Sequence, residues 1–304
     1  MVLKNFTQLL NRVNKRGKQK IAVAMAQDSD ILLAMDAASA AGIADGILVG
    51  AKSEIEAIAE QHQISLARYQ ILDVQDERES VHQAVQLVRS GDAQVLMKGL
   101  CSTSIFLKGI LNKENGLRSA KVISHLAVFE SANYHKLLFM SDAAMNIAPD
   151  LNDKIAITQN AINALHAVGY KIPKVAMISA VEKVNPEAMP STADAALISK
   201  MAARGQIKNA NIDGPLALDN ALSPRANEIK GLKSSINGDA DLCIVPNIET
   251  GNVFYKLLTI LGNALVAGVI LGASVPVVLT SRADSENSKF LSIATALAIS
   301  QRGK

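Results

Sequence analysis

Tryptophan is absent from this chain, and aromatic residues amount to only 3% of it although 49% of its residues are hydrophobic. A core built from it must be aliphatic, of Ala, Val, Ile, Leu and Met, a composition that suits helices packed on a parallel sheet. Only two cysteines occur, Cys101 and Cys243, far apart and without CxxC spacing. This argues against a disulfide framework or a zinc site and fits a reducing, cytoplasmic compartment. The five histidines, at 62, 82, 125, 135 and 166, show no HExxH or other ligand spacing, so no metal is expected. No run reaches the roughly 18 apolar residues of a membrane span. The longest, ALVAGVILGASVPVVL at 264–279, is broken by Gly, Ser and Pro and reads as two buried strands. The N-terminus lacks the apolar core and cleavage site of a signal peptide. Net charge is a mild +3 spread along the chain, which argues against nucleic acid and suits a small polyanionic ligand. Neither GxGxxG nor GxxxxGK[ST] is present, so NAD and ATP lose ground.

What is there is an alternation. Short β-rich runs, KIAVAMA at 20–26, ADGILVG at 44–50, RYQILDV at 68–74 and AQVLMKG at 93–99, are separated by amphipathic stretches. In ESVHQAVQLV at 79–88, Val81, Val85 and Val88 recur at helical spacing. Such repetition with short loops predicts right-handed crossovers and a parallel, doubly wound sheet. Near residue 120 the rhythm changes, because VISHLAVFES and NYHKLLFMS leave no room for a helix between them and predict a β-hairpin turning at Ala132 and Asn133. Alternation then resumes with a helix near 151–168, strands at 173–179 and 241–246 and a helix over 251–264. At 304 residues the chain exceeds the about 100 to 200 residues of a single core. Two α/β domains are expected with a boundary near residue 120; the final strand PVVLTS and the helix after Asp284 look like elements of the first domain, so the chain either stays in the second domain or returns to the first.

Three segments lie where strands end and helices begin, the place where free N–H groups and the helix dipole attract anions. In KGLCSTSIFLKGIL at 98–111, Ser102, Thr103 and Ser104 open a helix with Lys108 about one turn on; they either hold a phosphate or cap the helix. In LTSRADS at 279–285, Arg282 suits bidentate phosphate binding or a surface salt bridge. In PNIETGNVFYKLL at 246–258, Gly251 either lets a ligand approach the backbone or belongs to a capping loop. Cys101, near a helix N-terminus, reads as a buried core thiol or as a nucleophile. The basic run from Arg12 to Lys20 reads as a solvated helix end, or as a contact for an acidic partner or a nucleotide.

Five ordered blocks then carry a resemblance: SDAAMNIAPDL at 141–151, PKVAMISAVEKVNP at 173–186, DGPLALDNA at 213–221, GDADLCIVPNIETGN at 238–252 and VPVVLTSRADS at 275–285. With them the chain resembles the phosphate acetyl/butyryltransferase family, most of all its phosphate butyryltransferase branch. The resemblance implies two three-layer α/β domains with a cleft between them, similar to isocitrate and isopropylmalate dehydrogenases, and a last strand and helix that rejoin the first domain, which gives a discontinuous domain over 1–120 plus 274–304 and a second over 121–273. It implies exchange of a short-chain acyl group between coenzyme A and inorganic phosphate, with coenzyme A as substrate and no permanently bound cofactor. The small molecules involved would be acyl-CoA, phosphate and acyl phosphate, and the family commonly forms homodimers or higher homo-oligomers.

Carried over by position, Ser281 and Arg282 match the family's Ser-Arg pair beside the acyl phosphate. Lys108 stands where acetyl members have a cleft Arg, and Ser102 and Thr103 match hydroxyls of the same loop. Asp142, Asn146, Asn252 and Lys256 lie in blocks that border the cleft. Acetyl members place an Asp, proposed as the base for the coenzyme A thiol, where Ser288 stands here; Asp284 is the substitute base, with Glu286 nearby. Ile260 replaces a basic residue of acetyl members and Ile229 a His of many butyryl members, which leaves the acyl preference and coenzyme A contacts open. The alternatives are a phosphate acetyltransferase, a metal-dependent hydroxyacid dehydrogenase on a similar architecture, and a non-catalytic acyl-CoA or acyl-phosphate sensor.

Overall fold

The computed structural model describes residues 2–280 and 284–300. The chain divides into two compact units, a first of residues 6–120 with 267–304 and a second of residues 1–5 with 121–266. In chain order the first unit holds α1 (Phe6–Asn14), β1 (Gln19–Ala24), α2 (Ser29–Ala40), β2 (Ala44–Gly50), α3 (Lys52–Gln61), β3 (Tyr69–Asp73), α4 (Glu77–Arg89), β4 (Val95–Lys98) and α5 (Thr103–Ile110). The helix starts are written locally: Asp28 accepts from Ile31 N at 3.0 Å to cap α2, and Asp76 accepts from Glu79 N at 2.9 Å to cap α4. Val81, Val85 and Val88 are all buried, as their spacing predicts.

The second unit continues with β5 (Ser124–Glu130), β6 (Leu138–Ser141), α6 (Leu151–Ala167), β7 (Lys174–Ile178), α7 (Pro190–Ala203), β8 (Asn211–Leu216), α8 (Leu218–Leu222), α9 (Pro224–Lys230), β9 (Leu242–Ile244) and α10 (Ile248–Lys256), followed by a π-helical turn, Leu257–Leu261. The chain returns through β10 (Leu265–Leu271), β11 (Val277–Val278) and α11 (Glu286–Ile299). Among the described residues no helix is long and apolar enough to cross a membrane.

In the first unit the strand order is β3-β2-β1-β4-β11-β10. All neighbours are parallel except β10, which runs antiparallel to β11 with Ile270 opposite Val277. With right-handed crossovers, α2 and α3 cover one face and α4 the other. Accordingly α11 packs on α1 and α2, while α4 packs on α5. In the second unit the order is β5-β6-β9-β7-β8, antiparallel only at the β5–β6 hairpin.

Four details differ from the sequence reading. The return to the first unit comes at 267 rather than 274, and residues 1–5 lie with the second unit, where Leu3 N donates to Tyr170 Oη at 3.1 Å and Leu137 N to Leu3 O at 2.9 Å. Backbone pairing across the Gly-Ala-Ser break decides the first, and no side-chain pattern records it. The hairpin connection spans 131–137, longer than a turn at Ala132 and Asn133. Although most of the core is aliphatic, its largest fully buried side chains are Phe106, Phe129 and Phe139. The basic run is solvated at Lys15, Lys18 and Lys20, as expected of a helix end, while Arg16 Nη1 donates to Ala298 O at 2.8 Å at the carboxyl end of α11, and Lys18 makes a surface pair with Asp45 at 3.0 Å.

An ion network ties the strand starts of the second unit. The buried Lys136 lies 2.6 Å from Asp241 and 2.8 Å from Asp239, and Lys174 lies 2.8 Å from the other Asp239 oxygen. Burial alone would raise the Asp239 carboxyl, but hydrogen bonds from Lys136 and Lys174 hold it down at about 2. Its folded pKa therefore lies below the about 3.9 of an unfolded Asp, so its contribution is complete above that value and is lost as pH falls toward 2. Solvent around the half-exposed side chain keeps the effect modest. In acid titrations followed by circular dichroism, Asp239→Asn is expected to lose less stability between about pH 4 and 2 than the unaltered protein; an identical slope would discount the network.

Candidate active site

In the first unit β1 leads to β2 and β3 on one side, whereas β4 lies against the other edge of β1. The order reverses between β1 and β4, and in doubly wound sheets ligands bind outside the carboxyl ends at such a reversal. Here the two strand ends brace each other. Gly99 N donates to Ala24 O at 2.8 Å and Leu100 N to Met25 O at 2.7 Å. Residue 99 is glycine because a Cβ there would lie 2.0 Å from Met25 O and 2.7 Å from Ala24 O.

Outside these ends is a hollow of 180 Å³, lined among others by Asp28, Asp30, Lys98, Gly99, Thr280 and Lys289. Lys98 is the last residue of β4 and only 8% exposed; its Nζ donates to Gly99 O at 3.1 Å. Lys289, on α11 and 3% exposed, donates to Asp30 Oδ2 at 3.0 Å and to Asp284 O at 2.6 Å. The sequence reading named neither lysine as a site residue. Lys98 had a signal, a cation directly before glycine at a strand's carboxyl end. Lys289 had none, since it follows Glu286, Asn287 and Ser288 in a polar first turn that reads as a solvated helix start.

The expected residues fall into three places. Ser281 and Arg282 lie outside the described residues; Thr280, the residue before them in sequence, lines the hollow. Asp284 is held there through its backbone carbonyl by Lys289. Ser102 is the N-cap of α5, accepting from Ile105 N at 3.2 Å, and its own N–H donates to Glu77 Oε1. Thr103 is the exposed first residue of that helix. Lys108 lines a different cavity, of 320 Å³ along α4 and α5, with Arg78, His82, Asn112 and Asn115.

The remaining four lie in the second unit. Asp142 is buried, with Oδ1 accepting from Ala144 N at 2.8 Å and Met145 N at 2.9 Å, while Oδ2 accepts from His125 N at 3.2 Å and Asn146 Nδ2 at 2.5 Å. Asn146 also donates to Ile123 O at 2.9 Å, so Asp142 and Asn146 form one fixed pair. The start of α10 rests on the same loop: Ile248 N donates to Ile147 O at 3.0 Å, and a Cβ on Gly251 would lie 2.6 Å from Asp142 O. Gly251 thus admits backbone, and α10 is capped by Asn247 and begins at Ile248 rather than at 251. Asn252 is exposed, and Lys256 Nζ lies 5.4 Å from the centre of the Tyr255 ring.

Cys101 is 1% exposed, with Sγ toward Ala24 O, and burial pushes its thiol up to about 11 although Lys98 works the other way. Nucleophilic thiols are the reverse, exposed and low in pKa. Ile229 and Ile260, where relatives were expected to carry basic groups, are 76% and 72% exposed.

The family described as Phosphate acetyl/butaryl transferase matches residues 5–82 and 77–297. A Phosphate butyryltransferase from Clostridium beijerinckii is 47% identical over 301 residues, 99% of each chain. Among solved structures, a branched-chain phosphotransacylase from Enterococcus faecalis V583 superposes with a TM-score of 0.83 at 34% identity, covering 92% of this chain and 98% of that one. A 4-hydroxythreonine-4-phosphate dehydrogenase from Klebsiella pneumoniae, at 14% identity and TM-score 0.58 over 93% and 100% of the chains, shares the fold alone. The chain belongs to the phosphate acetyl/butyryltransferase family. It is a phosphate acyltransferase, which exchanges an acyl group between acyl-CoA and phosphate.

Two substitutions separate packing from chemistry at the β4–α5 turn. Cys101→Ala is expected to keep wild-type turnover in a thiol-release assay; a loss of more than about tenfold would restore the nucleophile. Gly99→Ala must displace the Met25 carbonyl, and a lowered melting temperature by calorimetry, of several degrees, is the expected outcome.

Proposed function

We propose that the preferred acyl group is butyryl or a similar short chain, and that the reaction is direct exchange between coenzyme A and inorganic phosphate within one ternary complex. The observation that carries the acyl preference is the 47% identity to a Phosphate butyryltransferase over 99% of both chains. In the phosphate-forming direction the coenzyme A thiolate attacks the carbonyl carbon of the acyl phosphate. A C–S bond forms, the C–O bond to phosphorus breaks, and phosphate leaves with the electron pair. The reverse run makes acyl phosphate from acyl-CoA.

In this scheme Arg282 pairs bidentately with the phosphate and Ser281 donates to the developing oxyanion or the leaving oxygen. Thr280, the preceding residue, lines the hollow at the strand reversal, which supports that assignment. Asp284 is the base for the thiol, a modest task because a free thiol ionises near pH 8.5. Ser102 and Thr103 serve the same phosphate at the start of α5. Lys108, which shares its cavity with Arg78, holds phosphate groups of the nucleotide end of coenzyme A. The Asp142–Asn146 pair shapes the loop beside α10, from which Asn252 and Lys256 reach substrate. The enzyme is proposed to be cytoplasmic and to work as a homodimer or higher homo-oligomer.

The test is thiol release from a chain-length series of acyl-CoA substrates with phosphate. A maximum in kcat/KM at butyryl or branched four- to five-carbon groups is expected; a maximum at acetyl would make the protein a phosphate acetyltransferase, and binding without turnover would make it a sensor. Arg282→Gln is expected to lower turnover by about a hundredfold or more. Unaltered turnover and phosphate saturation would remove Arg282 from the reaction.

A further inference from the structure

We infer that Lys98 is the buried cation that receives the phosphoryl group of phosphate or acyl phosphate, in the hollow at the carboxyl ends of β1 and β4. The inference rests on the acyl-exchange reading and adds to it a residue which that reading did not use. Three observations meet at this place.

The first is charge. Lys98 is 8% exposed, yet among the described residues its ammonium has no carboxylate partner and donates only to the carbonyl of its neighbour, Gly99. A buried ammonium without a counter-ion is costly, and such groups are retained where a ligand completes the pair. The other buried lysines, Lys136, Lys154 and Lys289, each hold a carboxylate within 3.0 Å. Lys98 departs from that pattern.

The second is the balance of its surroundings. The hollow also has two aspartates on its wall. Asp30 is paired with Lys289, so those two charges cancel. Asp28 caps α2 by accepting from Ile31 N, and its charge faces the positive end of that helix. Of the two lysines on the wall, Lys98 is the one without an ion-pair partner among the described residues.

The third is position and size. The hollow stands at the strand reversal, where the end of β4 packs on the end of β1 through Gly99. Its 180 Å³ exceed the about 30 Å³ of one water several-fold, so a phosphoryl group fits with part of its hydration shell. Lys289 acts here as a positioning residue, linking Asp30 on α2 to the Asp284 carbonyl before α11.

The same charge would also attract a phosphate of coenzyme A, and the experiment separates the two. Inorganic phosphate and coenzyme A are titrated separately, by calorimetry, into the full-length protein and into Lys98→Met. Phosphate affinity is expected to fall about tenfold to a hundredfold while coenzyme A affinity stays the same. Melting in phosphate-free buffer is expected to be unchanged or raised, because the variant removes an uncompensated charge. If Lys98→Met does not fold, Lys98→Gln carries the same titrations. Unchanged phosphate affinity, absence of phosphate binding by the unaltered protein, or a loss confined to coenzyme A each overturns the inference. A protein that binds phosphate through Lys98 but releases no thiol from any acyl-CoA would refute acyl exchange and leave this site standing. Normal turnover with an unaltered phosphate KM in Lys98→Met would do the reverse.

Discussion

The close contact between the ends of β1 and β4, where Gly99 and Leu100 donate to the carbonyls of Ala24 and Met25, governs the geometry of the first unit. It is possible only without a side chain at residue 99, and it turns the chain sharply enough for Ser102 to cap α5 a few residues later. At that seam the strand order reverses, the place where a doubly wound sheet opens a crevice at its carboxyl ends. The seam therefore leaves a hollow, and the hollow inherits what the strand ends supply: Lys98 from β4, Asp28 from the start of α2 and Thr280 from the segment after β11. A glycine chosen for backbone clearance thus decides which side chains can meet a ligand.

The second unit solves a comparable problem with charge rather than clearance. Its β6, β7 and β9 begin close together, and Lys136 bridges two aspartates of the β9 approach while Lys174 secures one of them from β7. At the other ends of β6 and β9, the four donors around Asp142 fix the loop on which α10 rests. Neither cluster leaves a lysine without a carboxylate. The cluster around Asp142 is buried, while that around Lys136 reaches the surface at Asp239 and Lys174; hydrogen-bonded networks of this kind rigidify a scaffold.

The fold was largely legible because periodicity reports burial: ADGILVG is β2 residue for residue, and the valine spacing of 81, 85 and 88 is the buried stripe of α4. The hairpin was legible because two strand-like runs left no room for a helix. What escaped was set by partners remote in sequence. The antiparallel β10–β11 pairing moved the return point to 267, and α7 with β8 lacks a run of matching hydrophobic period. The site was legible as segments, not as groupings. The reading passed over Lys98, since a lysine at the end of a buried strand looks like that strand's solvated end until its burial is measured. Gly251 was read through its freedom toward a ligand, whereas the space beside it is filled by the Asp142 carbonyl.

In the proposed reading, a lysine at the end of β4 and Arg282, which follows β11 in sequence, are not redundant. An arginine offers a planar fork that fixes the orientation of a phosphate, but its bulk needs an open approach. A lysine delivers a compact charge along a thin aliphatic stem, which can remain among Val95, Leu96 and Met97 within a fully buried strand. Confined at the carboxyl end of an internal strand, that charge cannot follow the phosphate if it moves, whereas a guanidinium fork can pair with either substrate. A group that must serve both inorganic phosphate and acyl phosphate in a reversible exchange is well matched by one fixed charge and one adaptable fork. The fixed charge belongs where the backbone is most constrained, and in this chain that is the residue before Gly99.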